Sequence, residues 1–143
     1  MVRFWDTSAL VSLVAEEPRS AACRRLLKDK QGVVVWALTR TEMISAVWQR
    51  ARSGDLTTTS LTRALTRIEA MSRQWDEISD LDLVRERAER LLAQHPLRAA
   101  DALQLAAALI LTRDRPRGRD FVTADGVLAQ AAAAEGFRVL IQK

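Results

Sequence analysis

One cysteine and one histidine among 143 residues remove several chemistries at once. Cys23 has no partner for an internal disulfide, and with His95 alone it builds neither a structural zinc site nor a histidine acid/base pair. Any metal held by this chain must therefore be bound by oxygen. The five glycines stand at 32, 54, 118, 126 and 136. Their spacing leaves no GxGxxG fingerprint, no GxxxxGK phosphate loop and no GxSxG nucleophile elbow, so nucleotide cofactors and serine-hydrolase chemistry are not indicated. Long apolar runs are missing too. LQLAAALILT is closed off by Asp101 and Arg113, well short of the roughly 20 residues that cross a bilayer. The first residues contain no charged n-region followed by an apolar stretch and a cleavage site, and the expectation is a cytoplasmic protein without a membrane role.

What is present is a chain 48% apolar, with 22 Lys and Arg against 18 Asp and Glu and a net charge of +4. That length and composition predict one globular domain spanning residues 1–143 with a modest preference for anionic partners. Val2 to Trp5 reads as a buried strand that stops at Asp6-Thr7-Ser8, residues suited to capping a helix over about 9–15. A second amphipathic helix follows over 19–28, with Cys23 as a small core residue. Val33 to Trp36 is the next strand. It leads through Thr39-Arg40-Thr41-Glu42 to a helix bearing Met43, Ile44, Val47 and Trp48, and Thr59 or Ser60 opens another helix. A short strand is predicted over 75–78, then a helix stopping at His95-Pro96 and a helix over about 98–111. Residues 121–123 read as a strand, Asp125 as the cap of a helix ending at Glu135-Gly136, and 137–141 as a final strand. Strands alternating with helices indicate an α/β fold, a three-layer α/β/α sandwich around a mainly parallel sheet of four to five strands.

In an open parallel sheet the strand C-termini and the following helix N-termini gather along one edge, where ligands bind. Four acids fall there by their place along the elements: Asp6 after the first strand, Glu42 in the helix turn after the second, Asp101 in the first turn after His95-Pro96, and Asp125 after the strand ending at Thr123. Each taken singly also reads as a helix cap, and Thr39-x-x-Glu42 matches a capping box. Asp101 heads a face of positions 105, 108 and 112 that is mostly apolar, so its carboxylate is expected to point inward, with Arg98 as a possible partner. Four carboxylates within about 5 Å of each other would repel by roughly 3 kcal/mol per pair at an effective dielectric near 20, and a divalent cation relieves this. Oxygen-only ligation beside helix N-termini in a basic chain suits a Mg²⁺ or Mn²⁺ site that also holds phosphate, hence phosphodiester chemistry without a histidine base.

At this point the chain resembles the PIN-domain ribonucleases, above all the VapC-like toxins of type II toxin-antitoxin pairs. The segments that carry the resemblance are FWDTSALVSL, TRTEMISAV, HPLRAADALQLAAAL and FVTADGVLAQAAAAEGFRVL, in that order, covering almost the whole chain. The resemblance implies a Mg²⁺-dependent endoribonuclease, with Mn²⁺ able to substitute, that cleaves RNA by activated-water attack. It implies an acidic quartet of Asp6, Glu42, Asp101 and Asp125, of which Asp6 and Asp101 are the surest metal ligands, with Thr7, Ser8 and Thr123 as polar residues behind them. It further implies a homodimer and inhibition by a cognate antitoxin protein. Arg40 and Arg98, at helix starts on the same edge, are the expected RNA phosphate contacts. Asp120 and the arginines of DRPRGRD belong to the opposite edge. Trp36 and Trp48 are either core residues or part of a protein-binding groove. The alternative function is a catalytically silent nucleic-acid or protein-binding module on the same scaffold. Haloacid-dehalogenase-like phosphatases would need a second Asp where Ser8 stands, and receiver domains an acidic pair after the first strand.

Overall fold

The computed structural model describes residues 1–141. Five strands, β1 (Val2–Trp5), β2 (Gly32–Trp36), β3 (Asp76–Ile78), β4 (Asp120–Thr123) and β5 (Arg138–Ile141), form one sheet in the order β3-β2-β1-β4-β5. Every neighbouring pair is parallel. Seven helices connect them: α1 (Thr7–Val11), α2 (Ser20–Leu27), α3 (Thr39–Arg52), α4 (Thr58–Ser72), α5 (Leu81–Gln94), α6 (Ala99–Leu111) and α7 (Gly126–Glu135).

A parallel sheet has helices on both faces, and side-chain alternation along its strands sorts the core into two layers. Phe4, Val34 and Phe121 pack with Leu91, Leu105 and Leu128 of α5, α6 and α7. Their neighbours Trp5, Val35 and Val122 point the other way, onto Leu10, Cys23, Met43 and Ile68 of α1 to α4. Trp36 is buried in the first layer, whereas Trp48 is partly exposed under Arg52. The three-layer reading of the sequence is the observed architecture, with all five strands parallel.

The connections leaving β1 and β4 run to opposite sides of the sheet, toward β2 and β5. These two strands are adjacent, so their C-terminal ends flank the crevice where an open α/β sheet binds ligands. Local chemistry sets how each strand hands over to its helix. Helix α1 stops at Val11, short of the predicted residue 15, because the Ser12 hydroxyl turns back to the Ala9 carbonyl at 2.5 Å and competes with further helix. Helix α4 starts slightly earlier than its pattern suggests, since Thr57 accepts the Ser60 amide and caps it. At the far end of α7, Gly136 adopts φ 114° and takes the left-handed cap position that a side chain would strain. No helix among the described residues is long and apolar enough to cross a membrane.

Candidate active site

Asp6, Glu42, Asp101 and Asp125 line one cavity of about 460 Å³ at the C-terminal edge of the sheet. Asp6 comes from the end of β1, Glu42 from the first turn of α3, Asp101 from the first turn of α6, and Asp125 from the residue that caps α7. Another cavity, between α2, β2 and α4, is walled by Val33, Met71 and Trp75 and contains no acid.

Helix capping accounts for these acids unequally. Asp125 does cap: its Oδ1 accepts the amides of Val127 at 2.9 Å and Leu128 at 3.1 Å. Asp6 occupies the cap position of α1 but makes no side-chain cap bond. Its Oδ2 instead accepts the hydroxyls of Ser8 at 2.5 Å and Thr123 at 2.7 Å. Glu42 does not form the expected capping box, because the cap of α3 is Leu38. Glu42 Oε1 accepts the Thr7 hydroxyl at 2.8 Å and the Gln104 side-chain amide at 2.7 Å.

The electrostatics have a consistent sign. Asp6 is 3% exposed, and burial, opposed by the two hydroxyls and reinforced by the charges of Asp101 and Glu42, pushes its carboxyl from 3.8 up to about 6. Asp101 is raised as well, by burial first and then by Asp125 and Glu42, with Arg98 pulling the other way. Carboxylates gathered this way favour a divalent cation bound by oxygen alone, the donor set that suits Mg²⁺ or Mn²⁺. As the side chains stand, no group of three or more acids, cysteines or histidines among the described residues is drawn together tightly enough to hold an ion. The fit to a metal is thus one of charge and donor type, with an adjustment of rotamers left to binding.

The hydroxyls tie the floor of the cavity together. Ser8 also receives the Ala124 amide at 2.9 Å, and Thr123 receives that of Asp125 at 3.0 Å, which locks the end of β1 to the turn after β4. Of the two arginines expected here, Arg98 lines an adjoining cavity with Asp101 and Asp125. Arg40 does not come to the site. It pairs with Glu69 and donates to Ser72 at 3.2 Å, both on α4. Arg19 and Arg50, which sequence reasoning passed over, are the arginines in the wall of the acidic cavity, the latter paired with Glu17. Arg50 was findable, since positions 42, 46 and 50 recur at helical spacing and all three line the cavity. Gln104 was missed too, and a lone amide inside a run of alanine and leucine was its signal. His95 lies away from this cavity, bonded to Glu135 at 2.7 Å, and Cys23 is buried in the second core layer with its thiol pushed up by burial.

A family model described as PIN domain matches residues 3–134. A chain of the solved structure described as a toxin-antitoxin complex from Klebsiella pneumoniae matches with a TM-score of 0.56 and 16% identity, covering 86% of each chain. No curated protein matches.

Proposed function

The chain belongs to the PIN domain family, and on that premise we propose that residues 1–143 act as one nuclease domain, a Mg²⁺- or Mn²⁺-dependent endoribonuclease that is the toxin of a toxin-antitoxin pair. The observation that carries the proposal is Asp6. It is a buried carboxylate raised to about 6, facing other acids in a solvent-connected cavity and held by the hydroxyls of Ser8 and Thr123. Burial of an acid without a cation destabilises a fold unless something else is gained, and strongly perturbed carboxylates in a cleft mark functional sites.

In this reading Asp6 and Asp101 hold the metal, and Glu42 and Asp125 complete its surroundings. When bound, the divalent ion supplies Lewis-acid stabilisation of the charge that develops on the phosphate. The chain's own residues do the rest. Ser8 and Thr123 fix the Asp6 carboxylate and leave it unable to swing away. Asp125 spends one oxygen on the amides of α7 and lines the cavity. Glu42, with Oε1 gripped, is held to complete the ion's surroundings and to position the attacking water. Arg98 on one side and Arg50 on the other offer planar donors for the flanking RNA phosphates. The solved relative is described as a toxin-antitoxin complex, which supports an antitoxin protein as the partner here, and a homodimer remains part of the same proposal.

The test is cleavage of a broad pool of structured RNA by the antitoxin-free protein, with Mg²⁺ or Mn²⁺ against a chelator. Metal-dependent cutting is the expected result. The alternative is a catalytically silent nucleic-acid or protein-binding module on the same scaffold. Folded protein that binds RNA from the pool but leaves it uncut in either metal would establish that alternative.

A further inference from the structure

Gln104 is the one large amide in the core of α6, 1% exposed among Ala102, Leu105 and Ala106. Its Nε2 lies 2.9 Å from Thr7 Oγ1, 3.0 Å from Thr39 Oγ1 and 2.7 Å from Glu42 Oε1. The identity of the atom facing this cluster follows from the carboxylate, because an amide oxygen 2.7 Å from Glu42 Oε1 would be repelled while an N–H₂ donates. Two protons are therefore shared among three acceptors on α1 and α3. The other end of the amide, Oε1, is buried without a hydrogen-bond partner among the described residues. A leucine or alanine in that place would leave no orphaned acceptor, so the amide is retained against its own desolvation. The feature that offsets this is the grip on Glu42.

From this geometry we infer that Gln104 is a positioning residue for the metal site: with Thr7 it clamps Glu42 Oε1, so that Oε2 stands outside the clamp and is presented to a divalent cation held by Asp101 one helical turn earlier. The inference rests on the metal-dependent nuclease reading. Positions 101 and 104 share a helix face, so α6 carries both a proposed ligand and the device that aims a second one. Among the described residues no three acids already stand together as a metal-holding group, and a preset Glu42 reduces how much must be ordered when the ion arrives. Groups bonded behind a ligand contribute to affinity in this way, and their loss typically weakens metal binding by about 10- to 100-fold.

The measurement is Mn²⁺ affinity by isothermal titration calorimetry on RNA-free protein, which reads binding independently of turnover. Gln104→Met keeps the length and volume of the side chain and removes the donor. It is expected to bind Mn²⁺ about ten-fold more weakly than wild type, with far-UV circular dichroism unchanged. In a Glu42→Gln background the same change is expected to add nothing, because the path runs through Glu42. Wild-type affinity in Gln104→Met, or an equal further loss in the Glu42→Gln background, overturns the inference. Asp101→Asn separates this failure from that of the reading beneath it. If wild type binds Mn²⁺ no better than Asp101→Asn, the metal site itself is wrong and the role of Gln104 falls with it. Should Gln104→Met fail to fold, ¹⁵N-labelled wild type gives the answer. The Gln104 side-chain amide signals are expected to shift on titration with Mg²⁺, and unmoved signals overturn the proposal.

Discussion

The two edges of the sheet treat their carboxylates in opposite ways. At the N-terminal edge, Asp120 opens β4 and is held by Arg138 through both oxygens, at 2.7 and 3.0 Å, and by Arg3 at 2.9 Å. Arg3 in turn reaches Asp29 at 3.1 Å. The Arg138 and Arg3 guanidiniums hold the Asp120 carboxyl below its ordinary value. At the C-terminal edge, one strand over, Asp6 is buried among hydroxyls and other acids and is pushed up. Burial raises both carboxyls, the buried Asp6 more than the half-buried Asp120; at Asp120 the guanidiniums outweigh it, and at Asp6 the two hydroxyls do not. The Asp120 edge pairs its acid with cations of the chain itself, while the Asp6 edge gathers acids, and in the proposed reading a divalent cation completes it, which would separate an acid that serves the fold from acids that serve a reaction.

Exchanging one carboxylate for an amide or a methyl at each edge tests that difference most directly. Asp101→Asn is expected to lower metal-dependent RNA cleavage by on the order of 100-fold or more, the scale of removing one charge-stabilising group. Its Tm in chelator should be unchanged or raised, since a source of like-charge repulsion has gone. Asp120→Ala should do the reverse. It leaves the largely buried Arg3, whose side chain is 10% exposed, with Asp29 as its remaining carboxylate partner, and is expected to cost about 2 kcal/mol in urea unfolding, the scale of losing hydrogen bonds to a charged group, while cleavage per folded molecule stays at the wild-type level. Retained activity in Asp101→Asn, or lost activity in a still-folded Asp120→Ala, would erase the distinction between the edges.

Acidity probes both edges in one experiment. The folded value of Asp6, about 6, lies above its ordinary 3.8, so the native state binds the extra proton and Asp6 contributes stability that is present at low pH and lost as pH rises through 6. Asp120 has the opposite sign: its depressed value contributes stability above the ordinary carboxylate range that is lost as pH falls below it. In chelator, unfolding free energy should therefore rise by about 1 kcal/mol between pH 7 and pH 5, then fall below pH 4. Asp6→Asn should abolish the rise and leave the acid limb. A profile in wild type that declines steadily from pH 7 would contradict the electrostatics assigned to Asp6.

Strand positions, the parallel order implied by alternation, and the four edge acids were legible because each depends on local pattern: β-branched runs, caps, and the rule that helix starts gather at strand ends. What was not legible depended on which way side chains turn and what they meet across the fold. Ser12 shortened α1 through a hydroxyl bond that periodicity does not register. The capping box at Thr39 was displaced because Thr39 is itself buried against Gln104, a tertiary bond between residues 65 positions apart. Gln104 could be noticed as a polar residue in an apolar helix, but its partners on α1 and α3 could not be named from spacing.

Arg40 and Arg50 turn the same lesson into the mildest of the tests. Its place at a helix start makes Arg40 an expected phosphate contact, yet residues two apart on a helix point in nearly opposite directions, so a residue two before Glu42 faces away from whatever Glu42 faces. The structure puts it on Glu69 of α4 accordingly. Arg50, two helical turns after Glu42, shares that face and lines the acidic cavity, with its guanidinium half engaged by Glu17. A phosphate arriving in the cavity competes with the Glu17 carboxylate for the same planar donors, so only part of the binding energy of a fresh arginine is realised. Arg50→Ala is therefore expected to raise KM for RNA by about three-fold with kcat little changed, well under the 1.4 kcal/mol that a ten-fold change represents, and to flatten the salt dependence of binding. Arg40→Ala should leave both constants as they are. If Arg40→Ala weakens RNA binding and Arg50→Ala does not, the RNA path runs over α4 rather than through the carboxylate cavity, and the cavity loses its claim to the substrate.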